Sequence, residues 1–329
     1  MPPPRLTPAT GETLERILDG TFPLWGDGLT RDAYARFNAA QLKTRWGARH
    51  LQRLALVDGT RLLSSAKRYD LAGHLDGRSV KIVGIAAVFT PSAGRGRGHA
   101  KVLIEQMLAA AAADGVELAL LFSEIGARYY EQLGFRTVPM DDLLIEVSRK
   151  PGAPAMLVRA GEERDYVELA GMHAARAAAY RFSLDRPVDY IGYAIAKKRL
   201  MAGFGSAGHR GVQFFVAEEG GRAVAYLVMT VSGLRGSRSG EHWGIEECGD
   251  RDPTGARLGA MLQVLLARAP GERPPAIRAW LPSGFQPPQI AGLTRVPSPT
   301  TMMMRWIDDR RDPLSLRAED VLYWRGDAF

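Results

Sequence analysis

Between Ile82 and Val138 the chain runs through one order of patterns that few folds accommodate. An almost wholly apolar run, Val80–Phe89, leads into a loop carrying Gly94, Gly96 and Gly98 with Arg95 and Arg97 between them. His99–Ala113 follows, with Ala100, Leu103, Met107 and Ala111 at three- and four-residue steps, which predicts a helix lying with one face on a sheet. A second apolar run, Val116–Phe122, predicts an inner strand, and a short helix over Ile125–Gln132 precedes Gly134–Phe135. Strand, glycine-arginine loop, helix and strand together make a unit that can cradle phosphate. Glycines bring backbone N–H groups close to an anion, the helix start adds unpaired N–H groups and its positive end, and arginine forks add donors.

Two familiar phosphate motifs are excluded. No Gly-Lys-Ser/Thr ends the loop, so it is not the loop of a nucleotide hydrolase. The Gly94-x-Gly96-x-Gly98 spacing is wrong for a dinucleotide fingerprint, and the loop does not open a βαβ chain.

The 329 residues suit two domains of about 150 residues each. A Pro/Gly-rich stretch at Lys150–Pro154 is the expected linker, giving domains 1–150 and 155–329. In the first, residues 1–12 read as a frayed arm and Gly11–Asp19 as a short helix. Thr21–Asp27 reads as a loop, and Thr30 as the cap of a second helix. Leu51–Val57 and the residues from Arg61 onward read as a hairpin turned at Asp58–Gly59, and Arg136–Val147 as a last strand broken at Met140–Asp142. The second half repeats the order. Strand Met156–Arg159 and two helical stretches lead to a hairpin turned at Gly220–Gly221. Then come strand Trp243–Glu247, a helix after Asp252–Pro253, strand Ala276–Leu281, a Pro/Gly-rich connection and strand Met302–Ile307. The tail Leu316–Phe329 is aromatic enough to dock.

One cysteine, Cys248, excludes a disulfide framework and a Cys-based zinc cluster, and the six histidines form no close-spaced metal set. The net charge of +7 comes from arginines scattered through the chain rather than gathered in a tract, which argues against a nucleic-acid binder. No apolar run reaches membrane-spanning length and the N-terminus has no signal-peptide core, so the expected location is the cytoplasm. Ser123 lacks the glycines of a nucleophile elbow.

With its flanks, the loop resembles the acetyl-CoA-binding core of the GCN5-related N-acetyltransferases. The family's Arg/Gln-x-x-Gly-x-Gly/Ala pattern is met by Arg95, Gly98 and Ala100, and Ala127-x-x-Tyr130-Glu131-x-x-Gly134-Phe135 is similar to its later signature, with Tyr129 for the usual phenylalanine. The length resembles the tandem-domain, enhanced-intracellular-survival type, although no chain remains for that group's sterol-carrier-like domain. The resemblance implies an α/β (α+β) fold of two tandem domains, each a mixed, mostly antiparallel central sheet flanked by helices. It implies direct transfer of the acetyl group of acetyl-CoA to a primary amine in a ternary complex. Ala87, Val88 and Phe89 would hold the pantetheine arm; Arg95, Gly96, Arg97, Gly98, His99 and Ala100 would line the pyrophosphate. Tyr130 matches the family's general acid and would also touch the cofactor. The C-terminal carboxylate of Phe329, or else Glu124, would assist as base. Phe22, Trp25, Tyr34 and Phe37 could wall the acceptor pocket, with Glu246, Glu247 or Asp250 facing a cationic acceptor. The segment Glu246–Gly259, which corresponds to the loop in the second half, lacks the pattern and is acidic, so that domain is expected not to bind cofactor. The other readings are a coenzyme-binding module without turnover and, behind it, a nucleic-acid binder. The acceptor and the oligomeric state stay open.

Overall fold

The computed structural model describes residues 3–148, 155–205, 210–233, 241–269, 274–308, 310–311 and 313–329. The expected linker Lys150–Pro154 lies outside them. By its internal contacts the chain forms two units: residues 1–139 with 299–317 and Phe329, and residues 140–298 with 318–328.

The first unit opens with β1 (Arg5–Pro8), α1 (Gly11–Trp25), α2 (Arg31–Lys43) and the single turn α3 (Gly47–His50). β2 (Leu51–Asp58), β3 (Arg61–Leu75) and β4 (Arg78–Phe89) form an antiparallel meander. α4 (His99–Ala113), β5 (Leu118–Ser123), the short α5 (Arg128–Glu131) and β6 (Arg136–Val138) complete the first run. α4 buries Leu103, Ile104, Met107, Leu108 and Ala111 in one core cluster with Leu54, Leu56, Val83, Ile85 and Leu121. Each fully buried aliphatic side chain of this kind stabilises the packing by about 1.5–3 kcal/mol.

Two sequence expectations change here. Residues 5–8 are an edge strand rather than part of a frayed arm: Arg5–Pro8 pairs antiparallel with Leu54–Val57, and Gln106 Nε2 donates to the Pro4 carbonyl at 2.9 Å. The first helix continues through the expected loop to Trp25. Pro23 sits in its final turn, where the helix is about to stop and Gly26 N–H closes it on the Phe22 carbonyl. The Thr30 cap is as expected, its hydroxyl accepting from Ala33 N–H at 3.2 Å.

The second unit begins with β7 (Asp141–Val147) and β8 (Leu157–Ala160), followed by α6 (Tyr166–Ala177), β9 (Phe182–Leu184) and α7 (Val188–Phe204). β10 (Arg210–Glu219) and β11 (Arg222–Ser232) make the glycine-turned hairpin; β12 (His242–Asp250), α8 (Ala256–Arg268), β13 (Ala276–Ala279) and β14 (Ile290–Pro297) follow. β15 (Thr301–Trp306) belongs to the first unit, and β16 (Val321–Leu322) pairs with β9 in the second.

The sheets run β1-β2-β3-β4-β5-β15-β6 and β8-β10-β11-β12-β13-β7-β14. Along these orders each is mixed and mostly antiparallel, the parallel neighbours being β4 with β5 and β12 with β13. The two orders are the same, except that β15 stands in the first sheet where β7 stands in the second. The halves have exchanged one strand each. β15 pairs with β5 and β6, and β7 pairs with β13 and β14, all antiparallel. This is the expected fold class, two tandem α/β units with helices against the sheets. The break at Met140–Asp142 is where the chain leaves one sheet for the other. β14, expected as an irregular connection, is the edge strand beyond β7.

The second unit packs its tail into its own core. Leu322 and Trp324 join the cluster built on β11, β12 and α8. Trp324 Nε1 donates to His173 Nδ1 at 3.2 Å, while His173 Nε2 lies 2.9 Å from the Leu184 carbonyl. Burial first, and Arg186 second, push the His173 imidazole down to about 3, so it stays neutral at ordinary pH.

Candidate active site

The first unit's parallel ladder is short. β4 pairs with β5 only over Ile82–Ile85 against Leu118–Leu121, although both strands continue. Beyond that point β5 is paired on its other side, Phe122 and Ser123 standing opposite Met302 and Thr301 of β15. On β4 the register against β3 slips: Lys67 faces Ala86 and Ser65 faces Phe89, so Ala87 and Val88 together oppose the single residue Ala66. This is a β-bulge, which bends its strand and re-aims backbone groups. Ala87 takes φ 48°, in the left-handed region. The two parallel strands therefore part into a wedge, and the β4 backbone along it is free of β5.

A left-handed conformation costs an L-residue about 1–2 kcal/mol, of which glycine's extra unfolded entropy would return part. Ala87→Gly is accordingly expected to stabilise the unit by roughly 0.5–1 kcal/mol in urea unfolding. Destabilisation by the variant would show that the bulge is not strained at this residue.

The glycine-arginine loop starts where β4 ends. Gly94 N–H donates to the Pro91 carbonyl at 2.8 Å, Arg95 N–H to the Ser92 carbonyl at 3.2 Å, and Arg95 Nε to the Thr90 carbonyl at 3.3 Å. Gly96 and Gly98 have φ 74° and 79°, which a side chain would strain. Gly98 is the N-cap of α4 and no side chain caps that end. The first-turn N–H groups, with the positive end of a fifteen-residue helix, are left for an anion. Arg95 and Arg97 are exposed beside them, and the half-buried His99 and Ala100 start the helix.

The corresponding corner of the second unit is built alike and filled from within. Gly255 is again a left-handed N-cap, φ 77°, before α8. There the Asp250 carboxylate accepts from Leu258 N–H and from Asp252 N–H, both at 2.8 Å. Gly259 is crowded by Gln289. A carboxylate already occupies the place that α4 leaves open.

Tyr130, on α5, is buried at 8% exposure, its ring edge-on to Tyr129 at 5.1 Å and to Phe135 at 6.1 Å. Burial, with smaller effects from Tyr129 and Glu124, pushes its phenol up to about 12, so it is a neutral hydroxyl. Glu124 follows β5, and its Oε2 accepts from Trp25 Nε1 at 3.3 Å, which joins the end of α1 to the end of β5. Phe22 lies 5.8 Å from Tyr34. Phe22 and Trp25 are half-buried, whereas Tyr34 and Phe37 are buried in the packing of α2, with Tyr34 Oη donating to Thr21 Oγ1 at 3.0 Å.

The Phe329 ring stacks on Tyr69 at 4.6 Å and stands edge-on to Phe122 at 5.2 Å. Gly84 makes room for it, since a Cβ there would come within 2.6 Å of the ring. Glu246 and Glu247 form no exposed acidic wall. Both are buried in the second unit, Glu246 with Lys198 at 2.8 Å and Thr230 at 2.9 Å, and Glu247 against Arg186. No group of His, Cys, Asp and Glu is placed to hold a metal among the described residues, and none of their helices is long and apolar enough to cross a membrane. Sequence patterns missed Arg16 and Arg61, which line a cavity beside Arg95. Positions 16, 61 and 95 share no motif and are brought together only by the fold, from α1, β3 and the loop.

Residues 27–138 match a protein-family model described as an acetyltransferase (GNAT) domain. No protein in the curated set matches. Solved structures with the same fold include a GCN5-related N-acetyltransferase from Anabaena variabilis (13% identity, 93% of this chain and 73% of that one covered, TM-score 0.64). Another, from Kribbella flavida, gives 18% identity, 93% and 72% coverage and a TM-score of 0.63. Eis1 from Mycobacterium abscessus gives 13%, 92% and 74%, and 0.56. The chain has the fold of the GNAT acetyltransferases.

Proposed function

We propose that this protein is an acetyl-CoA-dependent N-acetyltransferase acting on a primary amine, of the tandem-domain form that resembles the Eis-type enzymes, with its cofactor site in the first unit. The observation that carries this reading is the junction of the β4–β5 wedge with an uncapped helix start behind a glycine-arginine loop. The wedge offers backbone donors to an extended amide-bearing arm, and the helix start offers donors and positive charge to a diphosphate. The filled counterpart at Asp250 supports one cofactor site rather than two.

When bound, acetyl-CoA supplies the acetyl group as a thioester. Backbone N–H groups at Ala87–Phe89 orient that group and polarise its carbonyl, where negative charge develops. Loop residues Arg95–Ala100 anchor the diphosphate and so fix the reacting carbon against the amine. Glu124 takes the proton that the amine must lose, with Trp25 Nε1 holding its carboxylate. Tyr130 donates to the sulfur as the C–S bond breaks and the N–C bond forms. Phe22 and Trp25 wall the amine's approach.

Thiol release from acetyl-CoA, measured against polyamines, aminoglycosides, amino acids and lysine peptides, tests the reading. Amine-dependent release is expected. Saturable acetyl-CoA binding with no release across that panel would point instead to a coenzyme-binding module without turnover.

A further inference from the structure

The first unit contains a cavity of about 450 Å³ that none of the roles above uses in full. Three guanidinium groups line it: Arg16 from α1, Arg61 from the start of β3, and Arg95 from the loop. Leu62 and Phe89 give it an apolar side, and no acidic residue is among its lining. The cavity depends on Gly20, because a Cβ at that position would overlap the Phe89 ring. Arg16 is held in place, with Nη1 donating to the Thr60 carbonyl at 3.1 Å and Nη2 pairing with Glu12 at 2.5 Å. Glu12 is itself 80% exposed, so its charge is screened by water. An open pocket with three guanidinium groups on its lining attracts an oxyanion, and arginine forks bind carboxylate or phosphate in paired hydrogen bonds.

The placement suggests whose oxyanion it is. Phe89 lies two residues along β4 from Ala87, roughly 7 Å at the usual strand rise. The backbone donors for the diphosphate lie at the start of α4, so of the three arginines only Arg95 is shared with that role. The acids that would have favoured a cationic acceptor are buried with partners in the second unit. We propose that the cavity binds the acceptor, and that the acceptor is an amine also carrying a carboxylate or phosphate. The proposal rests on the acetyl-transfer reading, since it places the amine at the bulge. The apolar side then accommodates a short alkyl stem between the two groups.

Matched amines differing by one oxyanion test it: cadaverine against lysine, and ethanolamine against phosphoethanolamine. The wild-type protein is expected to favour the anionic member of each pair in kcat/KM. Arg61→Ala and Arg16→Ala should lower the anionic-to-neutral ratio by about tenfold or more, and Arg61→Lys should retain part of it. Ligand-detected NMR of phosphoethanolamine on the coenzyme A-saturated protein gives a readout without turnover, and Arg61→Ala should abolish that signal. An unchanged ratio in both alanine variants overturns the proposal. So does a rise in the KM for acetyl-CoA that disappears with the dephospho-coenzyme, because the cavity would then hold the coenzyme's own phosphate. Arg61-dependent phosphoethanolamine binding without thiol release from any amine would refute acetyl transfer and leave the anion site standing. Turnover indifferent to Arg61 would refute only the site.

Discussion

Tyr130→Phe is expected to lower kcat about 10²-fold while leaving the KM for acetyl-CoA nearly unchanged. The size follows from the acidity of the group. An ordinary thiol ionises near pH 8.5, so a phenol held at about 12 does not hand over its proton outright. It gives a hydrogen bond that strengthens as negative charge grows on sulfur, and the sulfur leaves as a thiolate held by that bond, because the phenolate would be the stronger base. General acid catalysis spans about 10²–10⁴-fold, and this mismatch puts Tyr130 at the low end. Raised above its ordinary value of 10 by burial, the hydroxyl stays protonated through neutral and mildly alkaline pH. Its ionisation should not curtail kcat until the pH approaches 12. The sign for stability runs the same way: the unfolded chain loses this proton from about pH 10 while the folded one keeps it. The contribution is therefore present below pH 10 and lost between 10 and 12. Steady-state kinetics with the best amine from the thiol-release panel checks the first part. A Tyr130→Phe enzyme within threefold of wild type would leave Tyr130 a packing residue, as its contacts with Tyr129 and Phe135 would allow.

Much of the first unit was legible because its signals are local. The apolar run ending at Phe89, the stripe from Leu103 to Ala111 and the glycines at 96 and 98 each state their own conformation, and the structure places them as read. What escaped depends on partners far along the chain. Arg5–Pro8 is a strand only because β2 offers it an edge. Arg136–Val147 and Met302–Ile307 both read as strands, but nothing in their alternation says which sheet will take them, so the exchange was invisible. Glu246 and Glu247 were expected to face a cationic acceptor, and adjacent residues of a regular strand point to opposite faces, so at least one should be accessible. The register slip on β12 between Ile245 and Glu247 upsets that alternation, and both are buried. Gly255 and Asp250 lie in the acidic stretch expected to repel a phosphate. The reason is more specific than repulsion, because the carboxylate already takes the helix's donors. Arg16 and Arg61 carried no signal at all.

Arg186→Met is expected to cost the second unit about 3–5 kcal/mol, which places it among the largest single-residue effects in the chain. Its side chain is wholly buried, with Nη2 on Glu247 and Nε 3.2 Å from Asp327 Oδ1, a charge contact without hydrogen-bond alignment. Both carboxylates are as deeply buried as the arginine, and Trp324 N–H donates to Asp327 at 3.2 Å. Removing the cation leaves two buried negative charges facing each other, whereas removing all three charges leaves only polar shape to satisfy. Arg186→Met combined with Glu247→Gln and Asp327→Asn should therefore recover most of the loss, measured as the urea midpoint of the second unit's transition. Burial raises both carboxyls above their ordinary values even beside Arg186, and without it they must rise further. A folded-state value raised above the unfolded one means that the native state holds protons which the unfolded state releases. Stability from these groups is thus fullest below the ordinary carboxyl range and falls as pH rises through the folded values. The single variant should consequently lie closest to wild type in mild acid and furthest from it at neutral pH. A penalty below 1 kcal/mol at neutral pH, or one that does not shrink on acidification, would show that the cluster is not held by its charge.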